Sequence, residues 1–315
     1  MDQEYKEILE FAYELAEKAT DMILKGSAAR WTSKNDAAAK MNSVDLVTET
    51  DQAVEDMIKA AIAERYPSHK FIGEESHAAG DRPPLTDEYT WIVDPIDLNG
   101  SFVHSNPFVA CSIGVTHHSE PVVGVMALPF FNQIFSARLG GGAFLNRTTP
   151  LPLTGGIPQP LTELSKCMIG TEWGGDRSQQ CMAKKTESLF RLAGDPTKGV
   201  EGGRMVHALR TLGSSVCTIA ALVSGQLDMY WYAGCQPWDV CAGAIIVSEA
   251  GGFFSGGKDA FHNDAPMGEI LMSRRYVFVR PLPDSETETR EQIQRRLVKE
   301  LYETVIEWTN EGMTT

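Results

Sequence analysis

Two short apolar runs in this chain each end in acids, and that pattern constrains its architecture more than any other feature. Phe71-Ile72 leads through Gly73 to Glu74 and Glu75, and Trp91-Ile92-Val93 leads to Asp94. An apolar run this short, stopped by charge, reads as a buried strand that delivers polar side chains at its end. Folds of the α/β kind place chemistry at such ends, where the scaffold is rigid and the loops are open.

The flanking sequence supplies the other elements. Residues 5–24 read as an amphipathic helix with Ile8, Phe11, Ala12, Leu15, Ala16, Ala19 and Ile23 on one stripe. Val44 to Thr48 reads as extended. Thr50 or Asp51 then caps a second helix whose apolar set is Ala53, Val54, Met57, Ile58, Ala61 and Ile62. Residues 108–115, 121–128 and 133–139 read as an antiparallel meander closed by Gly140-Gly141-Gly142. The Pro- and Gly-rich stretch from Thr148 to Leu161 divides an N-terminal α+β half, 1–150, from a C-terminal α/β half, 151–315. In the second half, Cys167 to Gly170 and Leu227 to Trp231 read as strands. Residues 178–193, 214–224 and Trp238 to Glu249 read as helices, and the tail from 286 to 309 carries Ile293, Leu297, Leu301 and Val305 at helical spacing.

Asp94-Pro95-Ile96-Asp97 is the sharpest local feature. Proline fixes φ and lacks an N–H, so a sharp turn after the strand is expected, pointing both carboxylates and the Ile96 carbonyl toward one place. Two carboxylates held close repel unless a cation lies between them. Taken singly, each acid has an ordinary alternative: an exposed Asp-Pro turn, a solvated Glu74-Glu75 pair, and helix caps at Asp51 and Asp239. Together they are four acidic positions, each at the end of a separate element.

Charge bears on the same question. With 28 Lys and Arg against 42 Asp and Glu, the formal net charge of the 315 residues is −14. This argues against nucleic acid or a membrane as a standing partner. It also means that an anionic substrate needs a local positive charge, which a bound cation supplies. Met1-Asp2-Gln3-Glu4 carries neither the basic nor the apolar region of a signal peptide, and no apolar run is long enough to span a bilayer. The six cysteines form no CxxC pair, which reads as reduced thiols and a cytoplasmic protein. GxSxG, HExxH and GxxxxGK[ST] motifs are absent.

These residues resemble the inositol monophosphatase family. Asp45-Leu46-Val47-Thr48-Glu49-Thr50-Asp51, Phe71-Ile72-Gly73-Glu74-Glu75-Ser76 and Trp91-Ile92-Val93-Asp94-Pro95-Ile96-Asp97 match its blocks in order, as do Gln236-Pro237-Trp238-Asp239 and Glu249-Ala250-Gly251-Gly252. The resemblance implies a layered α-β-α-β-α architecture, a homodimer, and a small phosphorylated substrate. It implies two or three Mg²⁺ ions held by Glu74, Asp94, the Ile96 carbonyl, Asp97 and Asp239, and an all-oxygen site suits magnesium better than zinc. Asp51 resembles the acid that helps activate water, and Gly213-Ser214-Ser215 falls where family members contact substrate. The implied reaction is in-line attack of water on a phosphate monoester, with the ions neutralising charge on the attacking and leaving oxygens.

The chain departs from the family at two places. Where the family continues after its aspartate with Gly-Thr, Asp97 is followed by Leu98-Asn99-Gly100-Ser101. The missing threonine is the hydroxyl partner of the water-activating acid, and Asn99 is the expected substitute, donating N–H to Asp51. Leu98 replaces a glycine that lets the backbone approach phosphate, with Gly100 as a replacement if the loop is rebuilt. The second departure is Tyr232, which stands where members that act on inositol phosphate carry an acid; an aromatic wall suits a flatter or more apolar substrate. The leading expectation is a Mg²⁺-dependent phosphomonoesterase. The alternatives are an enzyme of another class on the same scaffold and a binding protein without catalysis.

Overall fold

The computed structural model describes residues 2–30, 38–39, 46–155 and 157–308. Val44 and Asp45 of the expected extended stretch, and Thr309 of the expected tail, lie outside the described residues. A seven-stranded sheet runs in the order Lys70–Gly73, Thr90–Asp97, Ala110–His117, Glu120–Leu128, Gln133–Arg138, Ala143–Leu145, Thr149–Pro150. Its first pair is parallel and the rest are antiparallel, so the expected meander is present and two further strands follow the glycines. A five-stranded sheet runs Ala208–Arg210, Met168–Gly170, Met229–Ala233, Arg275–Val279, Phe253–Gly256, with mixed pairing.

Helices occupy three layers around these sheets. Asp2–Arg30 and Glu49–Arg65 cover the outer face of the seven-stranded sheet. Ser215–Val223 and Pro237–Glu249 lie between the sheets, and Gln179–Ala193 and Arg290–Thr304 cover the other face of the five-stranded sheet. The layering is α-β-α-β-α. The first helix is longer than its apolar stripe suggests, but every residue of that stripe is buried. At about 1.5–3 kcal/mol for each fully buried large aliphatic side chain, Ile8, Leu15 and Ile23 secure this layer without help from intrinsic helix propensity. On the second helix Ala53 is exposed, whereas Asp51 and Glu55 share the buried face with Val54, Ile58 and Ile62.

The central helix Pro237–Glu249 lies unusually close to the larger sheet. Gly114 and Gly124 are paired across neighbouring strands. A Cβ on the first would lie 2.5 Å from Cys241 Sγ, and one on the second 2.4 Å from the Ala242 carbonyl oxygen. Only glycine permits that approach, and Ser112 Oγ donates to the Trp238 carbonyl at 2.8 Å alongside it. The start of this helix is thereby held against the strand that carries Asp94, because Ser112 pairs with Asp94. The strands Phe253–Gly256 and Arg275–Val279 go beyond the sequence expectation, which left this region unassigned after Gly251-Gly252.

Candidate active site

Pro95 does not end its strand. Thr90–Asp97 continues through it, pairing Asp94 with Ser112 and Asp97 with Ala110, so two residues on this strand oppose one on its neighbour. Such a bulge suits proline, and the parallel partner on the other side stops at Val93, so no ladder hydrogen bond is lost there. The consequence is geometric. Side chains alternate with period two, so residues three apart would point to opposite faces; the extra residue rephases the strand and puts Asp94 and Asp97 on one side.

Asp239 joins them from the other half of the chain. It is the third residue of Pro237–Glu249 and not its cap: Gln236 is the N-cap, and its N–H donates to Asp239 Oδ2 at 2.6 Å. Pro237 at the first helical position sets this frame. One ligand atom each from Asp94, Asp97 and Asp239 lies within 4.8 Å of the others. Asp94 and Asp97 are buried and Asp239 is half-buried. Glu74, at the start of the short helix Glu74–Ala78, is half-buried and outside this trio, though its charge acts on both Asp94 and Asp239. Ile96 is buried in the bulge between the two aspartates.

The electrostatics are compatible with a cation site. Burial raises the Asp94 pKa well above the usual range, and the charges of Glu74, Asp97 and Asp239 raise it further. Burial also raises Asp239, with Asp97 adding to it and the Gln236 hydrogen bond opposing. Asp97 is pushed up to about 6 by burial, against the lowering effect of Ser214 Oγ and the Val216 N–H. Asp94 Oδ1 is buried without a hydrogen-bond partner. A buried acceptor in that state inside a cluster of acids fits a divalent cation, which satisfies the oxygen and removes the repulsion together. The donor set, all carboxylate, suits Mg²⁺.

The sign of the pH dependence follows. Asp51 and Asp97, with an ordinary value of 3.8, sit at about 6, and Glu172, ordinarily 4.5, sits at about 7. Each binds its proton more tightly when folded, so the contribution of these three groups to metal-free stability is greatest at low pH and falls as pH rises from their ordinary values through the folded ones. Protons and Mg²⁺ therefore compete. The rise in melting temperature caused by Mg²⁺ is expected to grow between pH 5.5 and 7.5. A Mg²⁺ increment that shrinks with rising pH would contradict this.

Asp51 lies on the helix Glu49–Arg65, outside the trio of aspartates. Thr48 is the N-cap, and Asp51 is again the third residue, accepting from the Thr48 N–H at 3.0 Å and from its hydroxyl. Burial raises its pKa, the Thr48 hydroxyl opposes that, and the Glu75 charge raises it further; the Asn99 side chain acts to lower it. Both Asp51 Oδ1 and Asn99 Oδ1 are buried without a hydrogen-bond partner. Leu98 adopts φ 69° and ψ 72° itself, and Gly100 does not take over the turn. Gly100 lies in the helix Asn99–His104, and a Cβ there would meet only Leu98 Cδ1, at 3.9 Å. The Leu98 side chain covers Gly213, where a Cβ would fall 2.3 Å from Leu98 Cδ2.

Gly213, Ser214 and Ser215 lead into the helix Ser215–Val223. Ser214 Oγ donates to Asp97 Oδ2 at 2.6 Å, and the Val216 N–H donates to the same oxygen at 2.7 Å. Ser215 Oγ accepts from the Tyr230 hydroxyl at 2.8 Å. Tyr232 is buried on the same side of its strand as Tyr230, the rings stacked at 6.3 Å, and the Asp239 charge acts on its hydroxyl. That hydroxyl abuts Gly174, whose Cβ would fall 2.0 Å away at φ +65°, so no other residue fits there.

Two buried acids escaped the sequence reading. Glu55 accepts from the Glu75 N–H at 2.8 Å and from the Ser76 N–H and hydroxyl at 2.7 and 2.6 Å, fixing the start of the helix that carries Glu74. Its signal was spacing: Asp51, Glu55, Ile58 and Ile62 form one helical stripe. Glu172 follows the strand Met168–Gly170, one more acid after a short apolar run, and accepts from Leu212, Gly213 and Thr218.

With this geometry in place, comparison with known proteins gives the family. The model of the inositol monophosphatase family matches residues 4–302. This chain belongs to that family. It is 42% identical over 313 residues to protein qutG of Emericella nidulans, covering 96% of this chain and 94% of the relative. It is 36% identical over 334 residues to quinic acid degradation cluster protein x of Neurospora crassa, covering 98% and 97%. An inositol monophosphatase structure from Anabaena superposes with a TM-score of 0.68 at 23% identity, covering 94% of this chain and 97% of that one. The family is Mg²⁺-dependent and acts on small phosphorylated substrates, and the carboxylate cluster is compatible with a metal ion. No helix among the described residues is long and apolar enough to cross a membrane, and all six cysteines are buried and unpaired.

Proposed function

We propose that this protein is a Mg²⁺-dependent phosphomonoesterase of a small phosphorylated metabolite. The observation that carries the reading is the strand bulge, which turns Asp94 and Asp97 to the same side and toward Asp239 with a buried, unpartnered oxygen among them. Asp94, Asp97, Asp239, Glu74 and the Ile96 carbonyl hold two or three ions in this reading. Bound there, Mg²⁺ supplies Lewis-acid stabilisation of charge on the phosphoryl oxygens. Asp51 accepts a proton from the attacking water, with Asn99 orienting that water through its amide. Leu98, Gly100, Gly213, Ser214, Ser215 and Tyr232 border the substrate, and a homodimer in the cytoplasm fits the family and the unpaired thiols.

A second reading has a specific observation behind it. Leu98 covers Gly213, and a relative carries a name tied to quinic acid degradation. A non-hydrolytic enzyme that keeps the cation centre but handles a different ring compound would account for both. Phosphate release from inositol, nucleotide and aryl phosphates, with and without Mg²⁺, separates the two. Release that requires Mg²⁺ and is lost in Asp94→Asn supports the phosphatase. Mg²⁺ binding with no release from any of the three classes would set it aside for the second reading.

A further inference from the structure

Glu172 is 5% exposed and has no place among the acids that converge on the centre. Its carboxylate is satisfied by neutral donors from one segment: Oε2 by the Gly213 N–H at 2.9 Å, Oε1 by the Leu212 N–H and the Thr218 hydroxyl, both at 3.1 Å. Gly213 is held there at φ +90°. The next residue, Ser214, caps the helix Ser215–Val223 by accepting from the Cys217 N–H at 2.9 Å, and it also donates to Asp97. Thr218 ties the two ends together, its hydroxyl placed 2.8 Å from the Ser214 carbonyl oxygen and 3.1 Å from Glu172. Asp97 lies at the end of a strand in the first sheet, and Glu172 lies just past a strand in the second.

We propose that Glu172 is a positioning residue for the cation centre. By anchoring Leu212 and Gly213, it fixes the left-handed turn from which Ser214 Oγ and the Val216 N–H reach Asp97 Oδ2. The other Asp97 oxygen is then left for the ion. Both carboxylate oxygens are needed for this. A glutamine would turn its own NH₂ donor toward an N–H at one of the two positions, leaving donors facing each other in a buried site. The proposal rests on the reading of Asp97 as a cation ligand.

The test is calorimetric titration of the full chain with Mg²⁺, with no substrate present, alongside thermal unfolding in its absence. Glu172→Gln is expected to weaken Mg²⁺ binding about tenfold or more, the usual scale for a group that orients a metal ligand. Thr218→Val, which removes one bond and keeps the carboxyl group in place, is expected to weaken it about threefold. Asp228→Asn is the control: Asp228 accepts from the Met168 N–H and from Arg280 Nε, both at 2.7 Å, away from this turn. It should lower the melting temperature and leave Mg²⁺ affinity unchanged. If the original protein binds no Mg²⁺, the cation-centre reading fails and this inference with it. If it binds and Glu172→Gln binds equally well, only the role of Glu172 is overturned. An equal loss in Asp228→Asn would mean that general destabilisation explains the effect, and would overturn it too. Should Glu172→Gln not fold, Thr218→Val decides, with unchanged affinity counting against the proposal.

Discussion

Asp94→Asn is expected to lower Mg²⁺ affinity about a thousandfold while raising the melting temperature of the metal-free protein. The two effects share one cause. Asp94 is buried, and its carboxylate is opposed by three neighbouring acids, so without an ion its charge works against the fold. With an ion present the same charge is attractive. An interaction of about 4 kcal/mol at 4 Å and an effective dielectric near 20 corresponds to roughly a thousandfold in affinity. Neutralising one acid of the cluster relieves repulsion in the metal-free state, and each kcal/mol regained is worth about 2–4 °C in a chain of this size class. A ligand site that binds its ion by holding like charges together trades stability for function in this way. Calorimetry and thermal unfolding read the two quantities independently. Unchanged affinity would remove Asp94 from the centre. A lower melting temperature in the metal-free variant would mean that its carboxylate has a structural partner that outweighs the repulsion.

Much of this site was legible because acids at strand and helix starts are visible in the sequence. Asp94, Asp97 and Asp239 come together. What could not be read was the mechanism of convergence. A spacing of three predicts opposite faces on a regular strand, and Pro95 was read as ending the strand; the bulge depends on which neighbouring strand stops where, a fact of pairing and not of local sequence. Asp51 and Asp239 were each read as possible caps. Both are third helical residues that reach back to the cap N–H, and for Asp239 this places the carboxylate among the converging acids. Glu55 and Glu172 carry no such signal, since a lone acid on an apolar stripe, or after a strand, is usually solvated. Their burial follows from backbone N–H groups that only the folded chain brings to them. The strand Arg275–Val279 has no alternation to read, since four of its five residues are buried.

Leu98→Gly combined with Asn99→Thr is expected to raise Mg²⁺-dependent phosphate release about a hundredfold with little change in stability. A leucine at φ 69° carries about 1–2 kcal/mol of backbone strain, which glycine removes. Against that stand the extra chain entropy that glycine loses on folding, about 0.5–1 kcal/mol, and the burial of a half-exposed leucine, about 1 kcal/mol. These contributions nearly cancel, so Leu98 is not explained by stability, and its position over Gly213 is what the proposed substrate site would account for. Removing the side chain uncovers the Gly213 backbone for a phosphate. A hydroxyl at position 99 would add, to the Thr48 hydroxyl that Asp51 already accepts from, a second partner able to pass a proton, and positioned proton transfer is worth about 10²–10⁴ in rate. Phosphate release by the double variant and by each single variant apportions the gain. A gain in Leu98→Gly alone would assign the limit to access, and one in Asn99→Thr alone would assign it to proton transfer. No gain in any of the three would mean that this loop does not limit hydrolysis.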